Sequence, residues 1–283
     1  MIAKSNSRTI QPDCEVNPRR QKPRQSCLST ISRTVAFCMM TVVLYTSSFA
    51  LARADAVIPR SMAAVEGNTS ESAAGMSGSS AYTNQIQIAA SELSALGVQI
   101  GDQITGLRQR LDSTQLTGPA AADGISDFEI TLAEAANPIS AMSTLYVANM
   151  IDPMMVRDGP FTLPANSMPG GGAPNAFGAV VGFDTPYTYQ GGDLIIMLSR
   201  TATPSPLTID SSANYTGIGT LYRILINGTT FHASTGLLQG AMGIFQLQIS
   251  AVPEPTSLGM SIVAATLFAR RFRRTNRSTK CCC

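Results

Sequence analysis

The sequence predicts an all-β fold: an antiparallel β-sandwich, jelly-roll-like, with one or two short helical turns. Three observations lead there. Short apolar runs alternate with a period of two, as a strand buried on one face requires. Gly, Pro, Asn and Asp separate those runs at the short intervals that turns need. Between two terminal segments of different character lie roughly 200 residues, enough for one domain with its own core.

Taken in order, Ala56-Val57-Ile58-Pro59 reads as an edge strand, with proline where the ladder can spare a donor. Val65-Glu66-Gly67-Asn68 leads into a Ser/Gly-rich loop over 69–80. Asn84 to Ala89 alternates cleanly, and Ala90 to Leu96 is one or two helical turns. Gln103 to Leu111 is a strand, and Asp127 to Leu132 is another, with Phe128, Ile130 and Leu132 on one face. Pro138 to Met150 is predicted helical, because Ile139, Met142, Leu145 and Tyr146 share a helical face. Further strands are expected at 154–157, 160–163, 177–183, 193–200, 207–210, 221–226 and 244–249, with a Pro/Gly loop at 169–174. Nine or ten short strands of this kind imply a sandwich, and no internal repeat is present.

The ends differ from the body in charge and in cysteine. Residues 1–54 carry eight Lys and Arg against two acids, and 253–283 carry six against one. The segment between them has six arginines, no lysine and fifteen carboxylates, a net charge of −9 hidden by the whole-chain value of +2. An acidic body argues against nucleic acid as a partner. Cys14, Cys27, Cys38, Cys281, Cys282 and Cys283 all lie outside it. The body therefore has no disulfide, thiol nucleophile or thiolate metal site, and a lone His232 excludes a paired-histidine site. No cofactor is expected. The adjacent terminal cysteines lack zinc-site spacing.

Residues 1–54 read as a secretory signal with a long basic n-region, an apolar stretch from Thr34 to Tyr45 and small residues before the body. Cleavage fits after Ala52 or after Ala54, the second being favoured. At the other end, 252–274 has three parts: Val252-Pro253-Glu254-Pro255, an apolar run of 13 residues from Ser257 to Ala269, and Arg270, Arg271, Arg273 and Arg274. The prolines fix φ and remove two donors, so that element is stiff and unpaired. The apolar run rises about 20 Å as a helix at ~1.5 Å per residue. It is a short transmembrane helix that relies on snorkelling arginines held on the cytoplasmic side. Residues 275–283 form a cytosolic tail.

The order of these three parts resembles the PEP-CTERM sorting signal of Gram-negative bacteria that make extracellular polysaccharide. The resemblance implies recognition of Glu254 and its flanking prolines by an exosortase, a membrane-embedded cysteine transpeptidase-like enzyme. It also implies transient inner-membrane anchoring before release to the cell surface or matrix. Ile58-Pro59, Val65-Glu66-Gly67-Asn68, Ala176-Phe177, Thr185-Pro186-Tyr187-Thr188-Tyr189 and Gly191-Gly192-Asp193 are similar to motifs of planctomycete-type members of unassigned function. They imply a shared β fold and no catalytic residues.

The body offers several candidates for chemistry. Asp127 and Glu129 flank Phe128 and would share a strand face, about 7 Å apart at Cα. A retaining glycosidase needs carboxyls about 5–5.5 Å apart, and a solvated outer face is the alternative. Tyr187 and Tyr189, with Tyr215 and Tyr222, could form a sugar-stacking platform, or equally a sheet-surface pair. Asp184 and Asp193 sit in turn-forming contexts and could reach calcium through oxygen. Gly170-Gly171-Gly172 lacks the following Lys of a phosphate cradle, and no Gly-x-Ser-x-Gly elbow accompanies His232. The expected function is a non-enzymatic surface or matrix protein, with a carbohydrate-binding module and a glycoside hydrolase using Asp127 and Glu129 as alternatives.

Overall fold

Antiparallel pairing organises the chain throughout. The computed structural model describes residues 55–71, 76, 78–213, 217 and 219–251. The signal segment, both cleavage positions and the Pro-Glu-Pro tail lie outside the described residues. Seventeen strands are described: β1 Ala56–Ile58, β2 Thr69–Glu71, β3 Tyr82–Ile88, β4 Gln103–Gln109, β5 Thr117–Gly118, β6 Asp123–Ile125, β7 Phe128–Ala135, β8 Met150–Arg157, β9 Phe161–Leu163, β10 Met168–Pro169, β11 Val181–Thr188, β12 Leu194–Arg200, β13 Ile209–Ala213, β14 Tyr222–Asn227, β15 Leu237–Gln239, β16 Ala241–Gly243 and β17 Phe245–Ser250. A six-stranded sheet runs β15-β14-β3-β12-β7-β8 and a four-stranded sheet runs β1-β17-β4-β11, with β16-β13-β2, β10-β5 and β6-β9 as small accessories. The all-β antiparallel expectation agrees with this.

The two large sheets share one core. Ile86, Ile88, Phe128, Ile130, Leu132, Leu194, Ile196 and Ile224 project from the six-stranded sheet. They join Ile58, Ile104, Leu107, Val181, Leu247 and Ile249 from the four-stranded one in a single buried cluster. Cross-strand register places Ile196 opposite Ile86 on one side and Leu132 on the other, so one row of apolar side chains crosses three strands.

The single helix described, α1 (Ala90–Ala95), has an alanine N-cap that supplies no side-chain bond. Asp193 replaces it from across the fold, its Oδ1 accepting from the Ala90 amide at 2.9 Å. The helix stops where Gly97 takes φ +84° and the Val98 amide bonds back to Leu93 at 2.9 Å.

Several expected elements differ. The loop over 69–80 contains β2, which pairs with β13. The strand expected at 177–183 is displaced to β11, and Phe177 makes only an isolated bridge to Arg110. Asp184-Thr185-Pro186, expected as a turn, falls within β11, where pairing with β4 is interrupted between Gly182 and Tyr187. Proline is tolerated there because β11 is an edge strand. The segment 138–150, expected as a helix, holds two 3-10 turns, Ile139–Ala141 and Tyr146–Asn149. Asn149 explains the change. Its side chain is fully buried, accepts from the Ser143 amide at 2.7 Å and donates to the Ser143 carbonyl and to Gln85 at 2.7 and 2.8 Å, bonds that compete with an α-helical ladder.

Leu247 is fully buried on β17, in the middle of the four-stranded sheet. Leu247→Ala should cost about 2–5 kcal/mol, read as a lower denaturant midpoint with an unchanged slope.

Candidate functional site

Of the sequence candidates, Glu129, Asp193 and His232 meet the outward side of the six-stranded sheet. Alternation on β3 sends Ile86 and Ile88 inward and Thr83, Gln85 and Gln87 outward, yet those three polar residues are fully buried. Two segments cover them. From 136–150, Tyr146 donates its hydroxyl to the Thr83 carbonyl at 3.2 Å, and the Tyr146 carbonyl accepts from Gln85 at 3.0 Å. Gln87 donates to the Asn137 carbonyl at 2.7 Å and to Asp193 at 3.1 Å. From 228–236, the Thr230 carbonyl accepts from Thr83 Oγ1 at 2.8 Å, and the Ala233 amide donates back to it at 3.2 Å. Ala133, Met142, Tyr146, Ile195, Leu225 and Ala233 make a second, smaller apolar cluster beneath this cover. Burial pushes the Tyr146 hydroxyl up to about 12, so it remains a neutral donor.

Asp127 and Glu129 are held by different partners. Asp127 precedes β7, is exposed, and donates its amide to Thr201 Oγ1 at 3.2 Å. Glu129 lies within β7, opposite Ser199 of β12. Its Oε2 is 2.6 Å from His232 Nε2. His232 is thus brought to the candidate carboxylate rather than to a serine. It takes φ +56°, and its ring stacks on Phe231 with centroids 3.8 Å apart.

The tyrosine platform is corrected by burial. Tyr187 and Tyr189 are 6% and 4% exposed and belong to the main core. Tyr187 pairs with Ile104 across the strands, so its ring joins the inner apolar face. The Tyr189 hydroxyl donates to the Gly192 carbonyl at 2.7 Å; burial, then Asp193, holds it up at about 12. Tyr222 is also buried, and Tyr215 lies outside the described residues. The two turn aspartates are in structural use: Asp184 accepts from the Asp158 amide at 3.1 Å and pairs with Arg157 at 3.4 Å, while Asp193 holds α1 and Gln87.

Sequence reasoning missed a second cluster. Glu66, Asp112 and Asp210 each bring one carboxylate oxygen within 4.8 Å of the others. Arg110, 1% exposed, places Nε 2.7 Å from Asp210 Oδ2. The Gly67 amide donates to Asp210 Oδ1 at 2.9 Å, and the Ser113 amide to Glu66 Oε1 at 2.7 Å. Thr114 bonds Asp112 through its amide and hydroxyl. Glu66 Oε2 is buried without a hydrogen bond. Three carboxylates, one of them paired with Arg110, are an oxygen set of the kind a hard cation takes, although internal donors already occupy most of it.

The Glu66-Gly67-Asn68 motif gains a physical reason here. A Cβ at Gly67 would lie 2.0 Å from the Ser211 carbonyl. Asn68 exchanges two hydrogen bonds with the Ala213 backbone, at 3.0 and 2.8 Å, extending the β2–β13 pairing by a side chain. The available signal was Arg110 itself, one of six arginines in the body and next to the core residue Leu111. A charge in that position needs a partner. No protein-family model matches the chain, and no curated protein matches it.

Burial raises the Asp210 carboxyl above the ordinary range; the hydrogen bond and charge of Arg110 oppose this, and Glu66 adds to it. A carboxyl raised on folding contributes stability that is present at low pH and lost as pH rises through its folded value. Glu66→Gln removes one negative charge and puts an amide donor beside the remaining acids. It should raise Tm near neutral pH by roughly 2–4 °C, the shift that about 1 kcal/mol gives a domain of this size, with the gain fading towards acid. Asp210→Ala strands the Arg110 charge and should cost about 3–5 kcal/mol in a denaturant melt.

Proposed function

We propose that the chain is an exported, non-enzymatic cell-surface or extracellular-matrix protein, sorted by a C-terminal PEP-CTERM signal that an exosortase recognises. One observation carries this reading: Pro253-Glu254-Pro255, a short apolar run and Arg270, Arg271, Arg273 and Arg274 follow one another at one end of a chain whose other end reads as an export signal. The cysteine-free, acidic body between them supports it, since such a body needs neither a reducing nor an oxidising compartment. Two findings favour a non-enzymatic body. Asp127 lies outside β7 beside Thr201, and Glu129 is engaged by His232. Burial of Tyr187 and Tyr189 removes the feature that favoured glycan stacking. The adjacency of first and last strands in β1-β17-β4-β11 supports the jelly-roll-like form of the sandwich. Among the described residues no helix is long and apolar enough to cross a membrane. Transient anchoring is assigned to the 257–269 run on its sequence, with extracellular polysaccharide as the surrounding matrix.

A reporter carrying residues 250–283 should fractionate with the inner membrane, and replacing the four arginines with serine should release it to the soluble fraction. In cells with an exosortase, intact mass should show loss of residues near the Pro-Glu-Pro element. A wild-type tail that leaves its reporter fully soluble and uncut would overturn the reading.

A further inference from the structure

We propose that the segment 228–236 is a pH-sensitive strap over the outer face of the six-stranded sheet, latched by His232 on Glu129. Most of the strap's anchors are neutral. Thr83 Oγ1 donates to the Thr230 carbonyl at 2.8 Å, and the Asn227 side chain reaches the Thr235 carbonyl at 3.3 Å. Backbone bonds to 144–146 complete the set: the Tyr146 amide to Ser234 at 3.1 Å and the Gly236 amide to Thr144 at 3.0 Å. None of these changes charge between acid and neutral pH.

His232 is different. It is the chain's only histidine, and imidazole is the side chain whose charge changes between about pH 5 and 8. Glu129, on β7, is the one charged group in contact with it among the described residues. Along the same row the neighbours are neutral: Ser199 of β12 lies opposite Glu129, and Thr83 of β3 lies opposite Ser199. On the strap itself Phe231 covers one face of the ring. The backbone at φ +56° is left-handed, a region sparsely populated by residues other than glycine, and the latch adds to the neutral anchors in holding it there.

The chemistry follows from the 2.6 Å contact. A neutral ring donates one hydrogen bond from Nε2. A protonated ring makes the same bond and adds a full charge, which strengthens it. The latch is therefore tighter with the ring protonated than with the ring neutral. When the strap lifts, the hydroxyls of Thr83 and Ser199, bonded to each other at 2.9 Å beneath it, come into reach of solvent together with Ala133, Ile195 and Leu225.

Hydrogen–deuterium exchange of the exported protein tests this locally, with protection factors corrected for intrinsic rates at about pH 5.5 and pH 8. The wild-type strap amides 230–236 should be roughly three- to tenfold better protected at the lower pH, the gain expected when a neutral bond becomes charge-assisted. Glu129→Gln should abolish that pH dependence while β7 and β12 keep their protection. His232→Asn should do the same, since asparagine tolerates the left-handed backbone, and it reads the latch independently should Glu129→Gln fold poorly. Equal strap protection at both pH values in the wild type, or a pH dependence that survives in both variants, would overturn the proposal.

Discussion

The architecture depends on one constraint: the central strands of the six-stranded sheet are covered on both faces. On the inner side the cover is the four-stranded sheet, and the contact is apolar. On the outer side it is the pair of segments 136–150 and 228–236, and the contact is mixed. Strand alternation places Thr83, Gln85 and Gln87 on that outer side, and all three are fully buried. Burying polar groups without partners costs more than packing recovers. Each therefore bonds to the backbone or side chains of the cover. This explains why 138–150 is not a helix. Its carbonyls and its Asn149 side chain are needed as partners for β3, and 3-10 turns leave them available.

The same constraint explains what was legible in the sequence. Period-two patterning located β3 and β7, each with an inward face that must be apolar in alternation, and short apolar runs bounded by turn residues located β4, β12, β14 and β17. It also gave the correct parity for Phe128, Ile130 and Leu132, all fully buried. Patterning carries no signal for what lies over the other face, so a buried polar row looks like a solvated one. Apolar spacing marked Ile139, Met142 and Tyr146, which bury, and Leu145, which is exposed. It was read as helix because a cover packed on a sheet and a helix face can present the same spacing. Tyr187 and Tyr189 illustrate the converse: a tyrosine in or just after an edge strand reads as surface, but both rings supply core volume, and a backbone carbonyl receives the Tyr189 hydroxyl. The link between Arg110 and Asp210 spans 100 residues, and no local pattern specifies it.

Positive charge in the body is used internally, and this bears on what the surface can contact. Arg110 is sealed against Asp210. Arg200 is fully buried, lies over the Tyr82 ring at 5.4 Å and donates to the carbonyls of Gly78, Ser80 and Thr201; burial lowers it to about 10. Arg223 holds the carbonyls of Ile139 and Ser140, Arg60 pairs with buried Glu92 at 3.2 Å, and Arg157 pairs with Asp184. Asp127, Asp152, Asp158 and Asp184 are meanwhile exposed.

A body arranged this way has few mobile cations to offer and a surplus of surface carboxylates. Lysine, the usual flexible surface cation, is absent from it. Direct adhesion to an anionic polymer or membrane would meet like-charge repulsion, screened within about 10 Å at 0.1 M salt but not reversed. On the proposed reading, retention in an anionic matrix would rest on hydrogen bonding or on bridging by divalent cations between carboxylates of protein and polymer. The terminal signal would act earlier and elsewhere, because the basic residues are concentrated at the two ends of the chain, where on that reading a cytoplasmic membrane surface, rather than the matrix, would meet them.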